Sequence, residues 1–77
     1  MRMTYDRKAN AIYVYLSDKP YAYGKDLDDE RRIDYAVDGT PMGLEFLCVS
    51  DGVNLDDIPQ RQEVERLLVD RDIKVYV

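Results

Sequence analysis

The chain has 77 residues, 16 acidic and 11 basic, for a net charge of −5 at neutral pH. That length holds one domain, expected over residues 1–77, and a domain of this size hides only about 60–65% of the surface its unfolded chain exposes. With a single cysteine, Cys48, and no histidine, neither an internal disulfide nor a soft-metal site is expected, which leaves association as the expected aid to stability. The acidic balance repels a phosphate backbone and no Lys/Arg stripe offsets it, so direct nucleic-acid binding is not expected. The longest apolar run is too short for a membrane span, and Met1 to Asp6 has no signal-peptide core, so a cytoplasmic protein is expected.

Arg2 to Tyr5 reads as a short strand and Asp6-Arg7-Lys8-Ala9-Asn10 as the turn back into a central strand, Ala11 to Ser17. In that strand Ile12, Val14 and Leu16 alternate with Ala11, Tyr13 and Tyr15, so both faces are apolar. Ser17-Asp18-Lys19-Pro20 breaks it. Tyr21-Ala22-Tyr23 starts a third strand, expected to be short or irregular because Gly24 and the charged run Lys25 to Glu30 follow. From Arg31 to Val37 the alternation resumes, Asp38-Gly39 signals a type I′ hairpin turn, and Met42 to Val49 returns as a strand with Leu44, Phe46 and Cys48 on one side and Gly43, Glu45, Leu47 and Val49 on the other.

A two-residue turn sets Arg32 opposite Glu45 and Asp34 opposite Gly43, whereas a four-residue loop would set Asp34 against Glu45; opposite charges across a pair favour the first register. It also sets Pro41 opposite Ala36, which suits only an edge or a bulge. After Ser50-Asp51-Gly52 the period becomes helical. Asp57 followed by Pro59 and Gln60 resembles an N-cap with proline in the first turn, the helix is expected from about Pro59 to Asp70 with Val64, Leu67 and Leu68 inward, and Ile73, Val75 and Val77 alternate as a closing strand.

The segments Tyr5-Asp6, Ala9, Ala11 to Leu16, Ile33-Asp34-Tyr35, Asp38-Gly39 and Gly43-Leu44-Glu45 resemble an uncharacterised family of small prokaryotic proteins. The resemblance spans roughly the first 50 residues and leaves the helix and closing strand, 51–77, outside it. It is a fold signature without a chemical one, the family being a domain of unknown function. Its genes often lie beside small candidate toxin genes, so the resemblance implies an antitoxin-like role. Arg7, Lys8 and Asn10 stand where the family usually carries acidic residues.

The acidic run Asp26, Asp28, Asp29 and Glu30 is crowded by Lys25, Arg31 and Arg32 and matches no calcium loop; a solvated loop is the simpler reading. Asp51, Asn54, Asp56 and Asp57 have ligand-like spacing, but helix capping explains Asp57 more simply, and a metal there is not expected. Cys48 has no histidine to activate it and is expected as a small buried hydrophobe. Asp34 and Glu45 could form a carboxylate pair for acid–base work, but the register separates them. Seven tyrosines are the compositional oddity, and tyrosine suits interfaces because an apolar ring carries a polar tip.

These features define an α+β domain: a small antiparallel sheet of four or five strands with one carboxy-terminal helix on one face. The expected function is a non-enzymatic interaction module that needs no cofactor. It self-associates, most simply as a dimer, through Tyr13, Tyr15, Leu47 and Val49, while Asp26, Asp28 and Asp29 steer a basic protein partner. The alternatives are a small metal-dependent hydrolase using the acidic residues and a purely structural oligomer.

Overall fold

Alternating β-branched and aromatic residues form the strands of the computed structural model, which describes residues 1–76; Val77, the last residue of the expected closing strand, lies outside the described residues. In chain order the elements are β1 (Arg2–Asp6), β2 (Ala11–Tyr15), β3 (Tyr23–Asp28), β4 (Arg31–Tyr35), β5 (Pro41–Leu47), a 3-10 turn (Val49–Asp51), β6 (Val53–Asn54), α1 (Arg61–Val69) and β7 (Val75–Tyr76). The first five strands form one antiparallel sheet in the order β1-β2-β5-β4-β3, and β6 pairs β7 in a separate parallel ribbon. The expected α+β architecture is therefore present, with five strands in the sheet and one carboxy-terminal helix.

One face of the sheet is dry. Met3, Ile12, Val14, Ile33, Leu44 and Phe46 pack there against Val49, Val53, Leu55, Ile58, Val64, Leu68 and Ile73, with Leu67 partly buried beside them. The helix meets the sheet through the apolar positions that its 3.6-residue period predicts.

Four local expectations are corrected. The β4–β5 turn is not type I′, because Gly39 alone among its residues has positive φ, at 84°. Gly39 donates to the Ala36 carbonyl at 3.0 Å and Ala36 to Thr40 at 2.9 Å, the pattern of a three-residue loop closed by a left-handed glycine. This puts Pro41 opposite Tyr35 rather than Ala36, and a bulge between Asp34 and Tyr35 then restores the register, so Arg32 still faces Glu45 and Asp34 still faces Gly43.

Second, β3 starts at Tyr23 rather than Tyr21 and is not short: Tyr23 to Asp28 pairs β4 through the charged segment, and the expected irregularity is a bulge between Asp26 and Asp28. Third, helix α1 starts at Arg61 with Gln60 at the N-cap position, φ 53°, and no side-chain cap. Asp57 lies before it in a left-handed conformation, φ 63°, because the chain first turns at Leu55 to Ile58 to bring Ile58 into the core.

Fourth, alternation ends at Leu47. Cys48 adopts a left-handed conformation, φ 54°, and the reversal leaves Cys48 exposed while it swings Val49 into the core, with the Val49 amide on the Asn10 carbonyl at 3.1 Å. Val49 is therefore not on the outer face with the tyrosines, and Cys48 is not buried. The Glu30 carboxylate pushes the Cys48 thiol up, away from the thiolate, opposite to what a nucleophile needs.

Candidate functional site

The sheet's second face, away from α1, carries every other residue of the strands, and the register places them in rows. Arg2, Tyr15, Gly43, Asp34 and Gly24 form one row, and Thr4, Tyr13, Glu45, Arg32 and Asp26 the next. The two glycines leave gaps that long side chains from the neighbouring row fill. The hydroxyl end of the Tyr13 ring lies over Gly43, so a Cβ there would collide with the phenol; the Arg32 guanidinium lies over Gly24, where a Cβ would collide with it. A mid-strand glycine marks such a close approach.

Asp34 joins the two side chains. The Tyr13 hydroxyl donates to its Oδ2 at 2.7 Å and Arg32 Nε to its Oδ1 at 3.1 Å. Arg32 continues outward, giving Nη1 to Asp26 Oδ1 at 3.2 Å and Nη2 to the Tyr21 hydroxyl at 3.4 Å. Asp34 is the one charged side chain in the buried class among the described residues, and both of its oxygens are engaged. That arrangement meets the requirement that a buried charge be paired and hydrogen-bonded. Burial, then the Asp34 hydrogen bond and charge, hold the Tyr13 phenol well above the ordinary tyrosine range, so it stays a neutral donor.

On the β1 side the paving continues. Tyr15 meets Tyr13 edge to face with centroids 4.8 Å apart, and the Arg2 guanidinium lies 3.8 Å from the Tyr15 ring centroid. Leu47 is 38% exposed at the end of β5, and Glu45 is half-buried between Tyr13 and Arg32 in register. Arg32 faces Glu45 as the charge argument requires, yet its hydrogen bonds go to Asp34, Asp26 and Tyr21. The surface is a plate of tyrosine rings and guanidinium groups held against the sheet by contacts with one another.

Tyr13, Tyr15 and Leu47 share this plate, and Val49 does not. Of the three carboxylates expected to steer a partner, Asp26 is tied to Arg32 at 3.2 Å and Asp28 to Arg31 at 2.9 Å, while Asp29 lies exposed in the β3–β4 turn. The Glu30 amide and then Arg31 hold the Asp28 carboxyl below the usual range. Arg31 also donates to the carbonyls of Asn54 and Asp56, which fastens the chain leading to α1 onto the sheet. Among the described residues no three His, Cys, Asp or Glu side chains converge as metal ligands.

Reading the sequence alone misses the Tyr13–Asp34–Arg32 link. Its signal was Gly43 opposite Asp34, but turning that into a tyrosine contact needs the β2–β5 pairing, which joins segments about 30 residues apart.

A family model for a protein of unknown function, DUF2283, matches residues 2–50, the span from β1 into the 3-10 turn. No curated protein and no solved structure matches the chain.

Proposed function

The chain belongs to the DUF2283 family of proteins of unknown function, and from the geometry of its outer sheet face we propose that it is a non-enzymatic protein-interaction module. It works in the cytoplasm, self-associates with a dimer as the basic unit, and uses the plate around Tyr13, Tyr15 and Leu47 as its contact surface. The observation that carries this reading is the locking of Tyr13 and Arg32 over Gly43 and Gly24 by Asp34. Tyrosine and arginine are the residues that dominate interface energetics, and side chains already immobilised lose little entropy on docking.

A basic protein is the favoured partner, in the antitoxin-like manner, supported by the net charge of −5. With Asp26 and Asp28 held by arginines, long-range attraction rests on the overall charge and on exposed residues such as Asp29. The hydrolase alternative has less support, because Asp34, Asp26 and Asp28 each point at an arginine or tyrosine rather than at one another.

Light scattering through a dilution series from high to low micromolar tests the proposal. The wild-type chain is expected to exceed the monomer mass, and Leu47→Glu to lower the mass at each concentration by placing a charge on the plate. Coincident wild-type and Leu47→Glu curves would overturn the contact surface.

A further inference from the structure

The two edges of the main sheet differ. At the β3 edge the register is broken by the bulge between Asp26 and Asp28, and Lys25, Asp26 and Asp28 stud the strand, which are devices that block strand addition. The β1 edge has no bulge, and its two charges, Arg2 and Asp6, stand at its ends: Arg2 to Asp6 pairs β2 without interruption.

The phase of the backbone at that edge follows from the β2–β5 ladder. Leu16 donates to the Met42 carbonyl at 3.0 Å, and Val49 donates to the Asn10 carbonyl at 3.1 Å. The even-numbered residues of β2 therefore bond toward β5 and the odd-numbered ones toward β1. Tyr15, Tyr13 and Ala11 face Arg2, Thr4 and Asp6, so those three turn their backbone groups inward. The N–H and C=O groups of Met3 and Tyr5 point out along the open edge.

We infer that β1 is the seat of a second copy of this chain, joined antiparallel about a two-fold axis at Thr4 to make one continuous ten-stranded sheet. Centred there, Met3 of each copy lies opposite Tyr5 of the other. Both carry outward-pointing backbone groups, so four main-chain hydrogen bonds close with no change of register. The same centring sets Arg2 of each copy opposite Asp6 of the other, two complementary charge pairs across the close, non-hydrogen-bonded positions. Arg2 can keep its face on the Tyr15 ring while its edge donates to a carboxylate. Residues directly opposite in a sheet share a face, so the two plates merge into one of double width. This contact specifies the self-association proposed above and rests on that reading, but it uses none of the plate residues Tyr13 and Leu47.

Within one chain Asp6 Oδ1 accepts from the Ala9 amide at 3.0 Å and Arg2 lies on the Tyr15 ring, so rescue on mixing, rather than either single loss, separates pairing from those roles. In a Leu47→Glu background, which removes the plate contact, the mass by light scattering is expected to fall from that of a larger wild-type assembly of dimers to that of the edge-paired dimer. Adding Arg2→Glu or Asp6→Arg should weaken that dimer roughly ten-fold or more, since each puts like charges across both positions. Mixing the two single variants should restore it, because one then carries two acidic and the other two basic partners. Circular dichroism confirms that each variant is folded. As an independent check, Thr4→Cys with Cys48→Ser should give a covalent dimer in oxidised glutathione, since the paired Cα atoms would lie about 4.5 Å apart, within disulfide reach.

Folded single variants that fail to associate on mixing, together with no covalent dimer from Thr4→Cys, would overturn the edge pairing. A Leu47→Glu chain that is monomeric while wild type associates would also overturn it, assigning self-association to the plate. A Leu47→Glu chain with wild-type mass whose mixed edge variants re-associate would establish the edge and sink the plate as the self-contact.

Discussion

The two faces of the sheet are built from the same strands by opposite means. The inner face is held by burial: Phe46, Ile12, Leu44, Val14, Val64 and Leu68 are all but inaccessible, and the hydrophobic effect needs no particular partner for each of them. The outer face is held by geometry, with Tyr13 and Arg32 over two glycines and one carboxylate fixing both. A dry core tolerates exchange of one apolar residue for another of similar size, whereas a directed network depends on each member. The inner face therefore accounts for folding and the outer face for a shaped surface, and substitutions should separate the two.

Phe46→Ala should act most strongly, because removing a buried ring costs about 3–5 kcal/mol and a small domain has little more than that in reserve. Urea unfolding read by circular dichroism should show most of the stability gone. A loss under 1 kcal/mol would mean that the inner face is not the core.

Gly43→Ala should come next, at about 1–3 kcal/mol as an overpacking change, since the added methyl displaces the Tyr13 ring. It should also move one tyrosine back toward ordinary titration. Asp34→Asn should cost about 1–2 kcal/mol by weakening two charge-assisted hydrogen bonds, with the same tyrosine signature. Phe46→Ala destabilises without any such specific signature, and this contrast separates network from core.

The pH dependence of that signature has a definite sign. Unfolded tyrosine ionises near pH ~10, while burial and Asp34 hold the Tyr13 proton above that value. The folded chain thus retains a proton the unfolded chain has released. The contribution is fully present below about pH 10 and falls as pH rises through the folded value. Ultraviolet titration should show a late phenol, Tyr13, whose delay Asp34→Asn reduces. Superimposable titration curves for the wild-type and Asp34→Asn chains would contradict the network.

The smallest effect lies at acid pH. Lys19 holds the exposed Asp38 carboxyl below its ordinary range, and the Glu30 amide does so for Asp28. Both contributions are present above about pH 4 and fade as pH drops through the depressed values. The acid side of the melting profile should change little in Asp38→Asn, because the Lys19 pair is solvent-screened.

Much of the fold was legible because it is periodic or local. The spacing of Val64, Leu67 and Leu68 identified the helix face, and the charges on β4 and β5 selected the register. The register held although the turn differs from the expected one, since the extra loop residue is offset by the bulge at Asp34/Tyr35. Val49 and Cys48 were misplaced because alternation cannot announce its own end, and Cys48 ends it by turning left-handed. The Asp57 cap was misplaced because Ile58 first has to reach the core. The plate was illegible for a different reason: its central link joins Tyr13 to Asp34, 21 residues apart, and depends on β5 inserting between β2 and β4.

On the reading proposed above, the outer face, with the β1 edge beside it, is where this chain meets other protein. Two-dimensional amide NMR of the wild-type chain over a concentration series tests it most directly. Concentration-dependent shifts are expected on Tyr13, Tyr15, Glu45 and Leu47 and on the outward amides of Met3 and Tyr5, with α1 unmoved. Shifts confined to α1, or none across the series, would contradict it.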